Sequence, residues 1–152
     1  MKITAQEEYG LRCLLRLANP DHEGVLTVKE IARREGISSA YAEKLLRVLS
    51  KAGLAQSARG TRGGYTLSRP VSEITLGNVV RALGRVPSTT EICERYTGNQ
   101  TTCVHADDCG IRAVWAGLTQ YIQHFLDETP LSLLMRKESD VQQVMFPRKS
   151  GT

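Results

Sequence analysis

No run of apolar residues in this 152-residue chain approaches the ~20 needed to cross a bilayer, so no membrane-spanning role is expected. An apolar signal core is missing as well: Met1-Lys2-Ile3-Thr4 leads straight into a charged, periodic segment, which points to the cytosol, where thiols stay reduced. Cysteines number only four. A chain of this length buries roughly 68–70% of the surface it exposes when unfolded, so its core needs no disulfide staples and the thiols are free for chemistry. The glycines of Arg59-Gly60-Thr61-Arg62-Gly63-Gly64 are not followed by Gly-Lys-Ser/Thr, which argues against a phosphate-cradling nucleotide loop. No nucleophile and base stand at a diagnostic spacing, so an enzyme is not expected. The length rules out two large independent domains.

Net charge is also small, +4, but it is unevenly placed. Residues 1–26 carry three basic and four acidic side chains, residues 27–70 nine and three, and residues 71–152 eight and nine. The whole excess lies in the middle segment. A local concentration of Lys and Arg is the footprint of a surface that binds a polyanion, whereas a face meant only for solubility usually mixes signs.

Periodicity predicts a mainly α protein with a small β wing. Leu11, Leu14, Leu15 and Ala18 give a first helix its apolar stripe, ending before Asn19-Pro20. Thr27-Val28-Lys29-Glu30 has the form of a capping box and starts a second helix. Gly36 allows a tight turn, Ser38-Ser39 caps a third helix, and Ala42, Leu45, Leu49 and Ala52 line that helix's inner face until Gly53 stops it. With Ala32 small at the crossing, and Ile31 and Ile37 flanking it, this is the pattern of a helix-turn-helix. Residues 54–69 alternate about the glycine turn and read as a two-stranded wing closed by Pro70. Thr75 caps a short helix with Val79, Val80 and Leu83, ended by Gly84.

Residues 85–110 show no apolar periodicity and read as a loop. From there Ile111, Val114, Trp115, Leu118, Ile122, Phe125 and Leu126 recur at spacings of three and four, marking a long amphipathic helix. So wide a stripe on an appendage needs a partner, so Trp115, Leu118 and Ile122 are expected in a dimer contact; packing on the first helix is the alternative. Pro130 breaks the helix and a short Leu131–Met135 segment can dock back. The expected organisation is a winged helix-turn-helix over 1–84, a cysteine-bearing loop over 85–110, a dimerisation helix and C-terminal helix over 111–146, and a tail over 147–152.

Three cysteines, Cys93, Cys103 and Cys109, are separated by nine and five residues. Zinc sites usually pair cysteines two to four apart, so that one tight turn presents both sulfurs; this spacing is wider. Three thiolates on one loop can instead gather on the larger frame of an iron-sulfur cluster, and the N-terminal dipole of the following helix favours the ligating thiolate at Cys109. Unligated thiols that sense oxidation directly are the other reading. Cys13, set among leucines, reads as a core residue.

The start Met1-Lys2-Ile3-Thr4, the stretch Gly36 to Leu46, the wing Arg59 to Tyr65 and the three-cysteine loop together resemble the IscR, NsrR and RirA group of bacterial winged-helix regulators, over about residues 1–135. The resemblance implies a homodimer on a palindromic double-stranded operator, its affinity set by an iron-sulfur cluster of the 2Fe-2S or 4Fe-4S type. It places Ser38, Ala40, Tyr41 and Glu43, with Ser39 beside them, on the recognition helix against bases and backbone. Arg59 takes the wing position that reaches a minor groove, and Lys44, Arg47 and Arg62 are expected at phosphates. IscR-like members usually have cysteine gaps of five and five, and ligate through a histidine three residues after the last cysteine, where this chain has Arg112. NsrR-like members use an N-terminal acidic residue of the partner subunit, and Glu8 falls at that place; Glu7 and His105 are weaker candidates.

Overall fold

The computed structural model describes residues 3–19, 24–60, 63–85 and 88–147. Helix α1 (Ala5–Ala18) begins at a capping box in which Thr4 accepts from the Glu7 N–H while the Glu7 carboxylate accepts from the Thr4 N–H. The same device starts α2 (Val28–Glu35) with Thr27 and Glu30. Gly36 ends α2 at φ +67°, the left-handed region glycine enters without penalty, and the Ile37 N–H reaches back to the Ala32 carbonyl at 3.0 Å. Ser38 then caps α3 (Ser39–Lys51) by accepting from the Tyr41 N–H at 3.1 Å. This is the helix-turn-helix. Ile31, Ala32, Ala42 and Leu45 are buried at its crossing, and Ile37 packs half-buried beside them.

Strands β1 (Ala55–Ala58) and β2 (Gly64–Leu67) pair antiparallel, from Ala55 opposite Leu67 to Ala58 opposite Gly64. The wing is pinned to the body on its far edge, where Leu26 and Tyr65 exchange backbone hydrogen bonds of 3.0 and 2.8 Å. Gly64 is required by that approach, because a Cβ there would collide with the Leu26 carbonyl. A 3-10 turn (Val71–Glu73) leads to α4 (Leu76–Leu83), capped by Thr75 as the sequence predicts, with Asn78 completing the box.

The loop expected over 85–110 is not all loop: α5 (Thr89–Arg95) lies within it. Its start is another capping box, Ser88 with Glu91, the same Ser/Thr-x-x-Glu form that marks α2. Periodicity misses it because a helix of two turns presents too few apolar residues to show a stripe. Helix α6 (Gly110–Glu128) follows, with Cys109 as its N-cap. It packs mainly on α4 and α5. An ion pair of 2.7 Å between Arg81 and Asp127 ties α4 to its far end.

After Pro130 the chain returns to the body. Ile74 and Leu131, and Leu76 and Thr129, are joined by backbone hydrogen bonds of 2.7 and 2.8 Å, and a second 3-10 turn (Leu131–Met135) buries Leu131 and Leu133. Leu131 therefore belongs to the same core as Leu14, Ile31, Leu45, Leu49, Ile74 and Val79. The final helix α7 (Glu138–Met145) stands outside that core with no buried residue. Among the described residues no helix is long and apolar enough to cross a membrane.

Candidate nucleic-acid interface and cysteine cavity

The first turns of α3 face outward because its Leu45, Leu46 and Leu49 face in. Ser38, Ser39, Ala40, Lys44 and Arg47 are exposed, and Tyr41 and Glu43 half-buried. Glu43 and Arg47, expected to work separately on a base and a phosphate, are paired along the helix at 2.6 Å. Arg59 is exposed at the end of β1, where Gly60, at φ +140°, turns the chain into the wing loop. Arg62 lies outside the described residues. Lys29 near the start of α2 and Arg33 and Arg34 near its end are also exposed; the charge excess of residues 27–70 already contained them, but no periodicity argument singles them out.

Behind the reading head, Tyr41 meets the Tyr9 ring of α1 edge to face, with centroids 6.1 Å apart and planes at 78°. The Arg12 guanidinium sits 5.4 Å from the Tyr9 centroid and is held by Glu8 at 2.7 Å. That carboxylate, hydrogen-bonding the guanidinium, raises the Arg12 pKa above its already high ordinary value. Glu8 is in the first turn of α1, half-buried and occupied by Arg12. Glu7 is spent otherwise: its carboxylate accepts from the Thr4 N–H and the Thr4 hydroxyl, at 2.7 Å each.

The loop cysteines come from three separate pieces of structure: Cys93 from α5, Cys103 from the following loop, and Cys109 from the cap of α6. All three line one cavity of about 180 Å³, with His105 and Arg112 also in its wall. All three are partly exposed free thiols, whereas Cys13 is fully buried, and burial pushes its thiol up to about 12. Cys109 Sγ accepts from the Arg112 N–H at 3.4 Å, as a cap at the positive end of a helix does. The Arg112 guanidinium donates to the Ala106 carbonyl at 2.8 Å. Among the described residues no three His, Cys, Asp or Glu side chains converge as the ligands of a single metal ion do. Donors spread around a small cavity fit instead a group with a frame of its own, and thiolates are the donors that iron-sulfur clusters use, four protein ligands to a cluster.

Half of α6 is bare. Ile111, Val114, Leu118, Tyr121 and Phe125 are exposed, Trp115 retains 43% and Leu118 46% of its full accessibility, while only Leu126 is buried and Ile122 half-buried. The expected stripe is thus present but is not covered within one chain.

A winged helix-turn-helix with a basic middle segment and a thiol-lined arm defines a DNA-binding regulator. The Rrf2 family model, described as an iron-dependent transcriptional regulator, matches residues 3–137, and the chain belongs to this family. It is 37% identical to the protein rrf2 of Nitratidesulfovibrio vulgaris over 139 residues, covering 91% of this chain and 90% of that one. It is 35% identical to the transcriptional regulator IscR of Aliivibrio salmonicida, over 95% of this chain and 82% of the relative. Among solved structures it is similar to CymR (YrzC), the global cysteine regulator of B. subtilis, with a TM-score of 0.69 and 31% identity over 89% of this chain and 96% of CymR.

Proposed function

We propose that the chain acts as a homodimeric transcriptional regulator whose affinity for a two-fold operator is set by an iron-sulfur cluster held on Cys93, Cys103 and Cys109. One observation carries this reading: three cysteines from three separate segments open onto one cavity, while the fourth is shut in the core. A cluster bound there would supply a centre that iron supply, oxidants or nitric oxide can alter, and so a signal. The residues of the chain do the rest. Cys93 and Cys109 join α5 to the start of α6, which rests on α4, and α4 in turn packs on α1 and α3. Whatever ties or frees the cysteines therefore bears on elements that position the reading head, the differential contact a ligand-driven switch requires.

On DNA, Ser38, Ser39, Ala40, Tyr41 and Glu43 present the edge of α3 to bases and backbone; Arg59 enters a minor groove, and Lys44, Arg47 and Arg62 neutralise phosphates. For Arg47 this requires sharing its charge between Glu43 and the backbone. Trp115, Leu118 and Ile122 pack against their counterparts in a second copy, which would bring two reading heads to a palindrome. Glu8 of that second copy is one source of a fourth cluster ligand; reaching out, it would have to leave Arg12.

Anaerobic reconstitution with ferrous iron and sulfide tests the cluster reading. The protein should gain visible absorbance with iron and sulfide bound, and its affinity for a duplex selected from random DNA should differ between the loaded and stripped forms. A protein that takes up neither iron nor sulfide, yet changes DNA affinity when its thiols are oxidised, would replace this reading with direct thiol sensing.

A further inference from the structure

The arm rejoins the body at the start of α4, where two contacts of different kind meet. The first N–H of α4 is one of the donors a helix leaves without an internal partner; it donates to the Thr129 carbonyl at the C-cap of α6, 2.8 Å away. The negative end of α6 thus rests on the positive end of α4, and Thr129 is buried. Just short of this point Asp127 reaches sideways to Arg81, at 2.7 Å. Residue 77 must be glycine for this: the carboxylate lies where a Cβ would stand, so a larger residue would push it away from Arg81. Leu126 is the one buried residue of α6. Its cap Cys109 stands at the other end, roughly 27 Å from Asp127 at a rise of about 1.5 Å per residue. Helix α4 in turn is fixed to α1, where Leu83 packs over Gly10 and Gln6 donates to the Leu83 carbonyl at 2.8 Å. Tyr9, beside Gly10, meets Tyr41 of the reading helix.

We propose that Arg81 and Asp127, on the bare seat of Gly77, are positioning residues for operator binding: a latch between arm and body that the state of the cysteine cavity opens or closes. The proposal rests on the cluster reading above and names the contact through which it acts. The backbone bond between Leu76 and Thr129 fixes one end of α6, and a helix tilts as a rod. A shift at Cys109 is therefore felt first at the ion pair set off from that fixed point. Formed in one state and parted in the other, the pair is the differential contact a switch needs. Both side chains are about half exposed, so the latch carries a small part of the coupling, up to about fivefold in affinity.

The readout is the ratio of the affinities of the loaded and stripped forms for the duplex selected from random DNA. A merely structural defect lowers both affinities and leaves their ratio alone. Asp127→Ala and Gly77→Ala should each move the ratio towards one, by up to about fivefold, with iron and sulfide content unchanged. The double variant should match either single one, because both changes break the same pair. Arg81→Asp should do likewise, and Arg81→Asp combined with Asp127→Arg should restore the ratio. Arg85→Ala, which removes an exposed pair with Glu91 outside the joint, should leave it as in the wild type. Should Gly77→Ala fail to fold by circular dichroism, the exchange of Arg81 and Asp127 decides, since it leaves residue 77 untouched. A wild-type ratio in folded Asp127→Ala, or a lowered ratio that the exchange does not restore, overturns the latch while leaving the cluster reading intact. A wild-type chain whose loaded and stripped forms bind DNA alike overturns both.

Discussion

The winged-helix body and the arm that leaves it at Ser88 are built to different standards of closure. In the body, apolar side chains from four helices, both strands and the 3-10 turn after α6 share one core, and α1, α2 and α4 begin at reciprocal capping boxes. The arm has equally regular helices, but Ile111, Trp115, Leu118 and Phe125 face outward and its cysteines surround a cavity rather than pack together. Body residues explain one another; arm residues point to something the single chain does not contain. The contrast separates residues that hold the fold from those that await a partner or a ligand.

The largest expected effect therefore lies in the arm. Leu118→Glu would place an unpaired charge in the proposed contact between copies, at a cost of several kcal/mol, more than a modest interface can absorb. In a body residue of comparable size, such as Leu45, the same change should unfold the chain; at Leu118 it should leave a folded monomer or an aggregate. Sedimentation and circular dichroism distinguish these. An intact dimer for Leu118→Glu would show that the bare stripe is not the interface.

Next come the cysteines, which divide the same way. Cys103→Ala should abolish iron and sulfide binding, and Cys13→Ala should leave it unchanged, since Cys13 only fills the body core. With its thiol pushed up to about 12 by burial, Cys13 should also resist iodoacetamide in the native protein at neutral pH while the three loop thiols of the cluster-free form react. Equal labelling of all four would mean that the body opens as readily as the arm.

Within the body, the DNA-facing side chains should separate by what they touch. Arg59→Ala should weaken operator binding and relax preference for base composition, because a minor-groove arginine reads groove width and A·T content. Lys44→Ala should weaken all duplexes alike and lower the slope of log affinity against log salt by about 1. Gel-shift titrations over a salt series measure both. Unchanged operator affinity for Arg59→Ala at fixed salt would remove the wing from the interface.

How far the amino-acid sequence alone reaches follows the same divide. Helices α1 to α4 and the wing can be read from it because each carries at least two agreeing local signals: a capping box and a glycine stop for α2, a cap and a stripe for α3, a glycine turn between alternating residues for the wing. Helix α5 carries only one, the Ser88 and Glu91 box, and reads as loop by periodicity. The three cysteines can be nominated from spacing, but their convergence on one cavity depends on how α5 lies against α6, which no local pattern encodes. The pairing of Glu43 with Arg47 is a plain i, i+4 relation that attention to base contacts passes over.

The smallest expected effect compares one chemical change in both regions. Thr27 and Ser88 make the same capping box, with Glu30 and Glu91, at the starts of α2 and α5. Hydrogen bonds from the Thr27 backbone, at 2.9 Å, and hydroxyl, at 2.8 Å, hold the Glu30 carboxyl below the usual carboxylate range. Its folded pKa is thus lower than its unfolded one, so the box stabilises fully above the ordinary carboxylate range and loses this contribution as pH falls through the folded value. Thr27→Ala should cost about 1 kcal/mol at neutral pH, and the gap to wild type should narrow in acid. Urea titrations at several pH values measure it. Ser88→Ala removes an equivalent cap, but α5 adds nothing to the main core, so global unfolding should barely shift. The change should appear locally, as faster amide exchange across Thr89–Arg95 and readier alkylation of Cys93. If the two substitutions lower global stability equally, α5 unfolds with the body and the division between a closed fold and an open arm does not hold.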